Sequence, residues 1–178
     1  MTYSIQQHNH RFAAWAAGRA ASVIGRRFSV AVAKDIIEAS DLILLNGDPR
    51  NLPQPPNIDA THRIWREQII SLASQRGLEL THGVAAKIIN VYLKSIFVCG
   101  GQVGVANVNW LHPPIDSVLL DALASLNFGG NREIWNRARR IRWSKFNSDQ
   151  YEAVIFAIRA SLPSGKLWEI EQYWQGHQ

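Results

Sequence analysis

Residues 81–97, with the sequence THGVAAKIINVYLKSIF, carry the pattern from which the fold is best interpreted. A turn at Gly83 is followed by apolar residues at the spacing of an amphipathic helix. Residues 112–123, HPPIDSVLLDAL, come later, and their two prolines fix the approach of the backbone to a second helix that begins near Asp116. We therefore expect Lys87 and Asp116 to meet in one cleft.

The composition is that of one globular domain. The chain has 178 residues, 47% of them hydrophobic, and its seven tryptophans supply large apolar surfaces for a core. A single cysteine, Cys99, excludes an intramolecular disulfide and a four-cysteine metal or iron–sulfur site built by this chain alone. The six histidines show no ligand spacing on one helix. We therefore expect neither a metal nor another cofactor.

The hydropathy pattern gives no sign of a membrane protein. The first residues, MTYSIQQHNHRF, are polar and lack the basic-then-apolar pattern of a signal peptide. No apolar run approaches the ~20 residues needed to cross a bilayer. We expect a soluble, cytoplasmic protein that does not enter membranes.

Helical spacing predominates and predicts an all-α fold without internal repeats. The predicted helices cover residues 10–23, 28–45, 60–77, 81–97, 115–126, 132–142, 148–162 and 165–174. Segment 46–59 holds four prolines and one glycine, so it is predicted as a loop and as a possible boundary between two lobes of a single domain 1–178. Segment 98–112 is predicted as a loop or a short pair of strands.

Positive charge is concentrated in residues 132–145, REIWNRARRIRWSK. Six basic residues stand there against one acid, and two tryptophans are interleaved with them, although the net charge of the whole chain is only +5. This pattern favours a surface for an anionic polymer, and the alternative is a solvated helix face. The residues expected to contact double-stranded DNA are Arg137, Arg139, Arg140, Arg142 and Lys145.

The pattern around Gly83 resembles the second half of the helix-hairpin-helix motif of the HhH-GPD superfamily of DNA glycosylases. In that family a Gly-Val-Gly turn precedes a lysine, two further residues, an asparagine and an apolar helix, and a downstream Pro-Val-Asp segment delivers an aspartate. Here Gly83, Val84, Lys87 and Asn90 match the first part, and the Pro-Ile-Asp of residues 114–116 matches the second.

Three departures from the family pattern are visible. Ala85 replaces the second glycine of the hairpin, and the spacer from Lys87 to Asp116 is long. The iron–sulfur cysteines of the endonuclease III branch are absent, which excludes that branch only. By this spacer the chain is nearest to the archaeal-type 8-oxoguanine DNA glycosylases of the superfamily.

The resemblance implies a two-lobed helical fold with a helix-hairpin-helix element at about residues 61–97. It implies a DNA repair enzyme that excises a damaged or modified base and has AP-lyase activity. Lys87 would be the nucleophile and Asp116 the essential carboxylate. The hairpin residues that would bind DNA are Gly83, Val84 and Ala85.

The two residue types suit this reaction. Cleavage of an N-glycosidic bond needs a nucleophile at the anomeric carbon, and an amine must be neutral to attack. Apolar neighbours such as Ile88 and Val91 would favour the neutral amine of Lys87, because desolvation disfavours its charged form. An ionised Asp116 could orient or deprotonate the lysine and balance positive charge on the sugar.

A base that leaves the DNA stack needs an aromatic surface in the cleft, since stacking offsets part of the cost of unpairing. The aromatic candidates are Trp110, Tyr92, Phe128 and Trp143. His82 and His112 flank the two motifs and are expected to line the same cleft.

Two other functions agree with the sequence. One is a non-catalytic DNA-binding subunit of a genome-maintenance or phage-defence complex, which would have protein partners. The other is a helical interaction protein whose tryptophan-rich surface binds a second protein while the arginines keep it in solution.

Overall fold

The computed structural model of the chain describes residues 3–22 and 28–176. Seven α-helices occur in these ranges, and no β-strand does, so the predicted all-α fold class is confirmed. The helices are α1 Ile5–Ala21, α2 Val30–Glu38, α3 Ile58–Ser74, α4 His82–Leu93, α5 Ser117–Ser125, α6 Arg132–Ile141 and α7 Ser148–Ser161. No helix within the described ranges is long and apolar enough to span a bilayer.

Shorter helical turns connect these elements. A π-turn, Lys94–Val98, continues α4. The 3₁₀ helices are Asp41–Leu45, Pro49–Asn51, Pro55–Asn57, Ala106–Trp110, Phe128–Gly130, Trp143–Lys145 and Leu167–Tyr173.

The structure differs from the predicted elements mainly where a helix ends. The apolar pattern 28–45 is divided between two elements, because α2 ends at Glu38 and a separate 3₁₀ helix, Asp41–Leu45, follows it. Asn46, directly after that helix, has a positive φ of 47°. Segment 98–112 forms turns and a 3₁₀ helix, so its strand alternative is wrong. Val23, the predicted end of the first helix, lies outside the described residues.

Helix α4 is the central element of the fold. Its start is fixed by Thr81, whose hydroxyl accepts a hydrogen bond from the amide of Val84 at 3.2 Å. Almost every residue of α4 is buried, and the helix packs against both α1 and α3. Its sequence is mainly apolar, and its buried polar side chains Lys87 and Asn90 are hydrogen-bonded, so α4 can occupy the middle of the molecule.

Buried apolar side chains form two clusters, and α4 contributes to both. Ile88 belongs to the cluster built from α1, α2, α3 and the segment up to Leu111, whereas Ala86 belongs to the cluster built from α5, α6, α7 and the C-terminal 3₁₀ helix. The half-buried indole of Trp143 packs against both clusters.

The division between these clusters does not coincide with the proline-rich loop. Leu52 in the loop 46–59 and Ile58 at its end are both buried in the first cluster. The first cluster ends along the chain at Leu111, and apart from Ala86 the second begins at Ile115. Along the chain, the two clusters are therefore separated between Leu111 and Ile115.

The segment Trp143–Phe146 lies directly on the beginning of α4. The amide of Gly83 donates a hydrogen bond to the carbonyl of Phe146 at 3.1 Å, and the hydroxyl of Thr81 donates to the carbonyl of Ser144 at 2.9 Å. A Cβ atom at Gly83 would lie 1.8 Å from the carbonyl oxygen of Trp143. Only glycine permits this approach of the two backbones.

We expect Gly83→Ala to destabilise the protein, because a methyl group at this position forces the two backbones apart. Overpacking of this kind typically costs about 1–3 kcal/mol. The measurement is the midpoint of urea unfolding at an unchanged slope.

Gly104→Ala is the matched control, since no atom lies within 4 Å of a Cβ placed there. Its free energy of unfolding should stay within about 0.5 kcal/mol of the wild type. Equal midpoints for the two variants would show that the contact of Gly83 with Trp143 does not constrain the fold.

Candidate active site

Lys87 and Asp116 meet at the junction of the two clusters. The Nζ atom of Lys87 lies 3.0 Å from Oδ2 of Asp116, and the side chains are 6% and 19% exposed. Asp116 is also the N-cap of α5, because its Oδ1 accepts a hydrogen bond from the amide of Leu119 at 2.9 Å. The carboxylate therefore caps a helix with one oxygen and contacts the lysine with the other.

Asn90, one turn after Lys87 on α4, holds the loop that delivers Asp116. Its Nδ2 atom donates to the carbonyl of Pro113 at 2.9 Å and to the hydroxyl of Tyr151 at 2.9 Å. Its Oδ1 accepts from Nε2 of His62 at 2.7 Å. One buried amide thus links the helix of the lysine to the loop of the aspartate, which explains structurally why the Lys-x-x-Asn and Pro-x-Asp patterns occur together.

The surroundings of Lys87 make its ammonium easier to deprotonate than that of an ordinary lysine. Burial lowers the pKa of the Lys87 amine, because the charged form loses its hydration, and the carboxylate of Asp116 opposes the shift without cancelling it. The indole ring of Trp143 lies 5.5 Å from Nζ. An amine that is easier to deprotonate than an ordinary lysine is suited to nucleophilic attack.

The pair lies at the wall of a cavity of about 630 Å³. This volume is in the range of small-molecule sites in proteins. The charged and aromatic side chains that line it are Phe12, Trp15, Arg19, Lys87, Lys94, Asp116, Glu171 and Trp174.

One wall of the cavity comes from α1, and the sequence of this helix explains the arrangement. Small residues such as Ala13 and Ala17 are fully buried and let α1 pack closely on its neighbours. Phe12 and Trp15 are left in the cavity, 58% and 50% exposed, with ring centroids 5.9 Å apart. Large exposed aromatic rings in a concave site are typical of a surface for a planar ligand.

Another part of the wall comes from the C-terminal 3₁₀ helix and the residue after it. Nε1 of Trp174 donates to Oδ2 of Asp116 at 3.0 Å, and Lys94 forms an ion pair with Glu171. Burial raises the pKa of the Glu171 carboxyl, and the attraction of Lys94 opposes the shift. The cavity thus contains a second acid–base pair beside the first.

Two of the four predicted aromatic residues are Tyr92, on α4, and Trp143, in the segment that packs on the start of α4. The ring centroid of Trp143 lies 5.5 Å from Nζ of Lys87, but Trp143 does not line the cavity of Lys87 and Asp116. Tyr92 lines another cavity, of about 200 Å³, where its hydroxyl is 2.9 Å from Nδ1 of His10. Tyr92 does not face the cavity of Lys87, because it stands five positions after Lys87 on α4 and the helix turns its side chain in another direction.

The other two predicted aromatic residues lie away from the cavity. The ring of Trp110 packs under the guanidinium of Arg159, 5.2 Å from the ring centroid. Phe128 packs on Tyr173, with ring centroids 5.1 Å apart. Neither lines the cavity of Lys87 and Asp116.

The predicted histidines do not line this cavity either. His112 is buried, with Nδ1 3.0 Å from the hydroxyl of Tyr151 and Nε2 2.8 Å from Oδ1 of Asp59. Burial lowers the pKa of His112, and the hydrogen bond to Asp59 opposes the shift. His82 is the first residue of α4 and half-buried. Both histidines therefore belong to the packing around α4 and not to the cleft.

The predicted DNA contacts of the hairpin are also replaced by contacts within the chain. Gly83, Val84 and Ala85 are all buried. Their amides donate, respectively, to the carbonyl of Phe146 and to the hydroxyl and the carbonyl of Thr81. These three amides are thus already satisfied, and a phosphate would have to displace an internal hydrogen bond to use them.

The basic segment lines a second cavity, of about 640 Å³, with Arg139, Arg140, Arg142 and Trp143. Arg139 is paired with Asp121 in its wall. Of the other predicted DNA contacts, Arg137 lines a smaller cavity beside α7, and Lys145 is exposed. The amphipathic pattern of α6 explains this placement, because its buried face presents Trp135 and Ala138 to the core and leaves the arginines outside.

Arg142 ends α6 in an unusual backbone conformation, with φ 72° and ψ 128°. A residue other than glycine has a strained backbone at positive φ, at a cost on the order of 1–3 kcal/mol. This conformation turns the chain into the segment Trp143–Phe146, which packs on α4. Arg142 itself lines the second cavity.

No protein-family model matches the chain, and neither a curated protein nor a solved structure gives a significant match. Within residues 3–22 and 28–176, no group of three or more His, Cys, Asp or Glu side chains is placed to hold a metal ion.

Sequence reasoning missed most of the wall of the cavity. The aromatic residues it missed are Phe12, Trp15 and Trp174. A signal for the first two was present, since they are large aromatics three positions apart on a helix whose other side is mainly alanine. For Trp174 no local pattern points to Asp116.

Proposed function

We propose that the protein is a DNA glycosylase with AP-lyase activity that removes a damaged or modified base from double-stranded DNA. The observation that carries the proposal is the contact of Lys87 with Asp116, 3.0 Å long, at the wall of a cavity large enough for a nucleotide. The order of the two motifs along the chain supports the same family of reactions.

The reaction uses the pair in sequence. Asp116 accepts a proton from the Lys87 ammonium, and the neutral Nζ attacks C1′ of the extruded nucleotide. The glycosidic bond breaks, and the base leaves with the bonding electrons and takes the proton that Asp116 holds. Asp116 then moves a proton from the ammonium at C1′ to O4′, and the C1′–O4′ bond breaks to give a protonated imine between Lys87 and C1′. Loss of a C2′ proton expels the 3′ phosphate and cleaves the strand.

The aromatic wall supplies the surface on which the extruded base stacks. Phe12 and Trp15 are exposed to the cavity from one side, and Trp174 lines it from the other. Stacking of a base on an aromatic side chain is worth ~1–3 kcal/mol, which offsets part of the cost of taking the base out of the duplex.

The second cavity is the place for the DNA backbone. Arg139, Arg140 and Arg142 line it together with Trp143, whose ring centroid lies 5.5 Å from Nζ of Lys87. Phosphates held by these arginines would bring a nucleotide of the same strand close to the lysine. In this protein the arginines would take the role that the hairpin amides have in the motif it resembles.

DNA binding should weaken steeply with salt. If four side chains of the basic segment contact phosphates, the plot of log affinity against log salt concentration should have a slope of about −3.6. Replacing Arg139, Arg140 and Arg142 by glutamine should make the slope less negative by about 0.9 for each lost phosphate contact. Fluorescence anisotropy with a labelled duplex measures both quantities.

Arg50→Gln is the matched control, because Arg50 is 86% exposed, is paired with Asp48 and lines neither of the two cavities. Its salt slope should equal that of the wild type. Binding that does not respond to salt, or a triple variant with the wild-type slope, would rule out this interface.

A second candidate function is favoured by the location of the arginines. The cavity they line does not include Lys87 or Asp116, so DNA could bind there without any reaction at the pair. The protein would then be a non-catalytic DNA-binding subunit of a genome-maintenance or phage-defence complex.

Reductive trapping with borohydride on a duplex that carries an abasic site distinguishes the two functions. Borohydride converts an imine between the protein and the sugar into a stable covalent adduct. Adduct formation supports the glycosylase and lyase, whereas DNA binding without an adduct supports the binding subunit.

A further inference from the structure

The carboxylate of Asp116 receives three hydrogen bonds, and two of them share one oxygen. Oδ1 accepts only the amide of Leu119 among the described residues, at 2.9 Å. Oδ2 accepts both the ammonium of Lys87 and the indole N–H of Trp174, each at 3.0 Å. Lysine and indole therefore compete for the same acceptor atom.

We propose that Trp174 is a positioning residue for the Lys87–Asp116 pair, because its N–H occupies Oδ2 and thereby weakens the hold of the carboxylate on the lysine proton. The inference rests on the proposed role of Lys87 as the nucleophile. It adds a residue that the motif does not contain and assigns it control over how readily the amine becomes neutral.

The charges around the amine make this shared acceptor important. Asp116 and Glu171 stabilise the ammonium form of Lys87, whereas burial and Lys94 favour the neutral amine. Arg19 adds a further positive charge to the cavity from α1. A charge-assisted hydrogen bond is roughly twice as strong as a neutral one, so the contact with Asp116 is the main restraint on the proton. A second donor on Oδ2 reduces that restraint without adding charge.

Trp174 is held firmly enough for this role. Its own amide donates to the carbonyl of Glu171 at 3.0 Å, and Gly176 crosses its ring so closely that a Cβ atom there would lie 2.2 Å from the indole. The preceding 3₁₀ helix is fixed by Trp168, whose Nε1 donates to Oδ1 of Asn109 at 3.0 Å. The indole is thus directed at Asp116 by contacts on both sides of it in the sequence.

The test measures the neutral fraction of Lys87 without DNA. Cyanate carbamylates neutral amines, and mass spectrometry of peptides gives the rate at Lys87 as a function of pH, with the half-buried Lys34 as an internal reference. We expect Trp174→Phe to move the midpoint of the Lys87 profile upward by about 0.5–1 pH unit, which is a three- to tenfold lower rate below the midpoint.

Two further variants isolate the hydrogen bond. Trp65→Phe makes the same change at a tryptophan of α3 that packs against His62, so its profile should match the wild type. Trp174→Gln loses the ring but keeps an N–H donor, and its midpoint should lie near that of the wild type. A role limited to packing would lower rates without moving midpoints.

The proposal is overturned if Trp174→Phe keeps the wild-type midpoint, or if the Gln and Phe variants shift equally. The outcome is independent of the proposed enzymatic function. A shifted midpoint in a protein that excises no base would retain the role of Trp174 and reject the glycosylase. An unshifted midpoint in an active glycosylase would reject the role of Trp174 and retain the glycosylase.

Discussion

Lys87→Ala should abolish the covalent adduct that borohydride forms between this protein and a duplex with an abasic site. The amine is the only group of the pair that can form an imine, and its neutral form is favoured by burial. The adduct is measured as a shifted band of labelled DNA on a denaturing gel. We expect the yield to fall at least ~100-fold, to the level of incidental reaction by surface lysines.

The variant should still fold, which makes the loss interpretable. Removal of one partner of a buried ion pair is often strongly destabilising, because the other charge is left without a partner. Asp116 retains the hydrogen bonds from Leu119 and Trp174. The urea midpoint of Lys87→Ala and its affinity for DNA should therefore stay close enough to the wild type for a direct comparison.

Two controls complete the experiment. Lys34→Ala removes a half-buried lysine of α2 that is paired with Glu38, and it should trap as efficiently as the wild type. Lys87→Gln keeps a polar side chain of similar length at the site and should trap as poorly as Lys87→Ala. A strong adduct in either Lys87 variant would identify another amine as the nucleophile.

The second large effect is expected for Asp116→Asn, and it should separate two steps of the reaction. The amide can still cap α5, because its oxygen can accept the amide of Leu119. It cannot accept the lysine proton or balance the charge of the sugar. Excision of the base that a panel of modified duplexes identifies should slow by about 100- to 10,000-fold under single-turnover conditions.

Trapping on a duplex that is already abasic should survive in the same variant. The attraction of Asp116 opposes the lowering of the pKa of Lys87, so its loss leaves the amine easier to deprotonate. The aldehyde of an abasic site needs no base to be expelled. Asp35→Asn, on the exposed side of α2, is the control and should leave both activities unchanged. Wild-type excision by Asp116→Asn would exclude a catalytic role for this carboxylate.

The sequence was informative where structure is decided locally. The start of α4 at Thr81 and the cap of α5 at Asp116 are set by hydrogen bonds over three residues. Two helix starts and a proline-guided loop were enough to predict that Lys87 and Asp116 meet, and the structure shows this contact.

The wall of the cavity could not be predicted in the same way, because distant contacts decide it. Trp15 and Trp174 lie on the two ends of the chain, and only the packing of α1 and the C-terminal 3₁₀ helix around α4 brings them to Lys87. Distant contacts also decide the place of His112, which lies outside the cavity because it is bound by Asp59 of α3 and Tyr151 of α7. A sequence motif contains only residues that are close together in the sequence, whereas His112 and its two partners are far apart in the sequence.

The hairpin shows this limit most clearly. By pattern Gly83 belongs to a turn whose amides bind phosphate, yet its amide is bound to Phe146, which is far along the chain. The glycine is required by the approach of another backbone segment and not by a ligand.

The position of α4 between the two clusters also bears on cooperativity. A helix that belongs to both halves of the core cannot lose its packing on one side without weakening the other. The two halves should therefore unfold as one unit, with little population of states in which only one is ordered. Lys87 lies on that helix, so its amine would sit in the part of the molecule that opens least often.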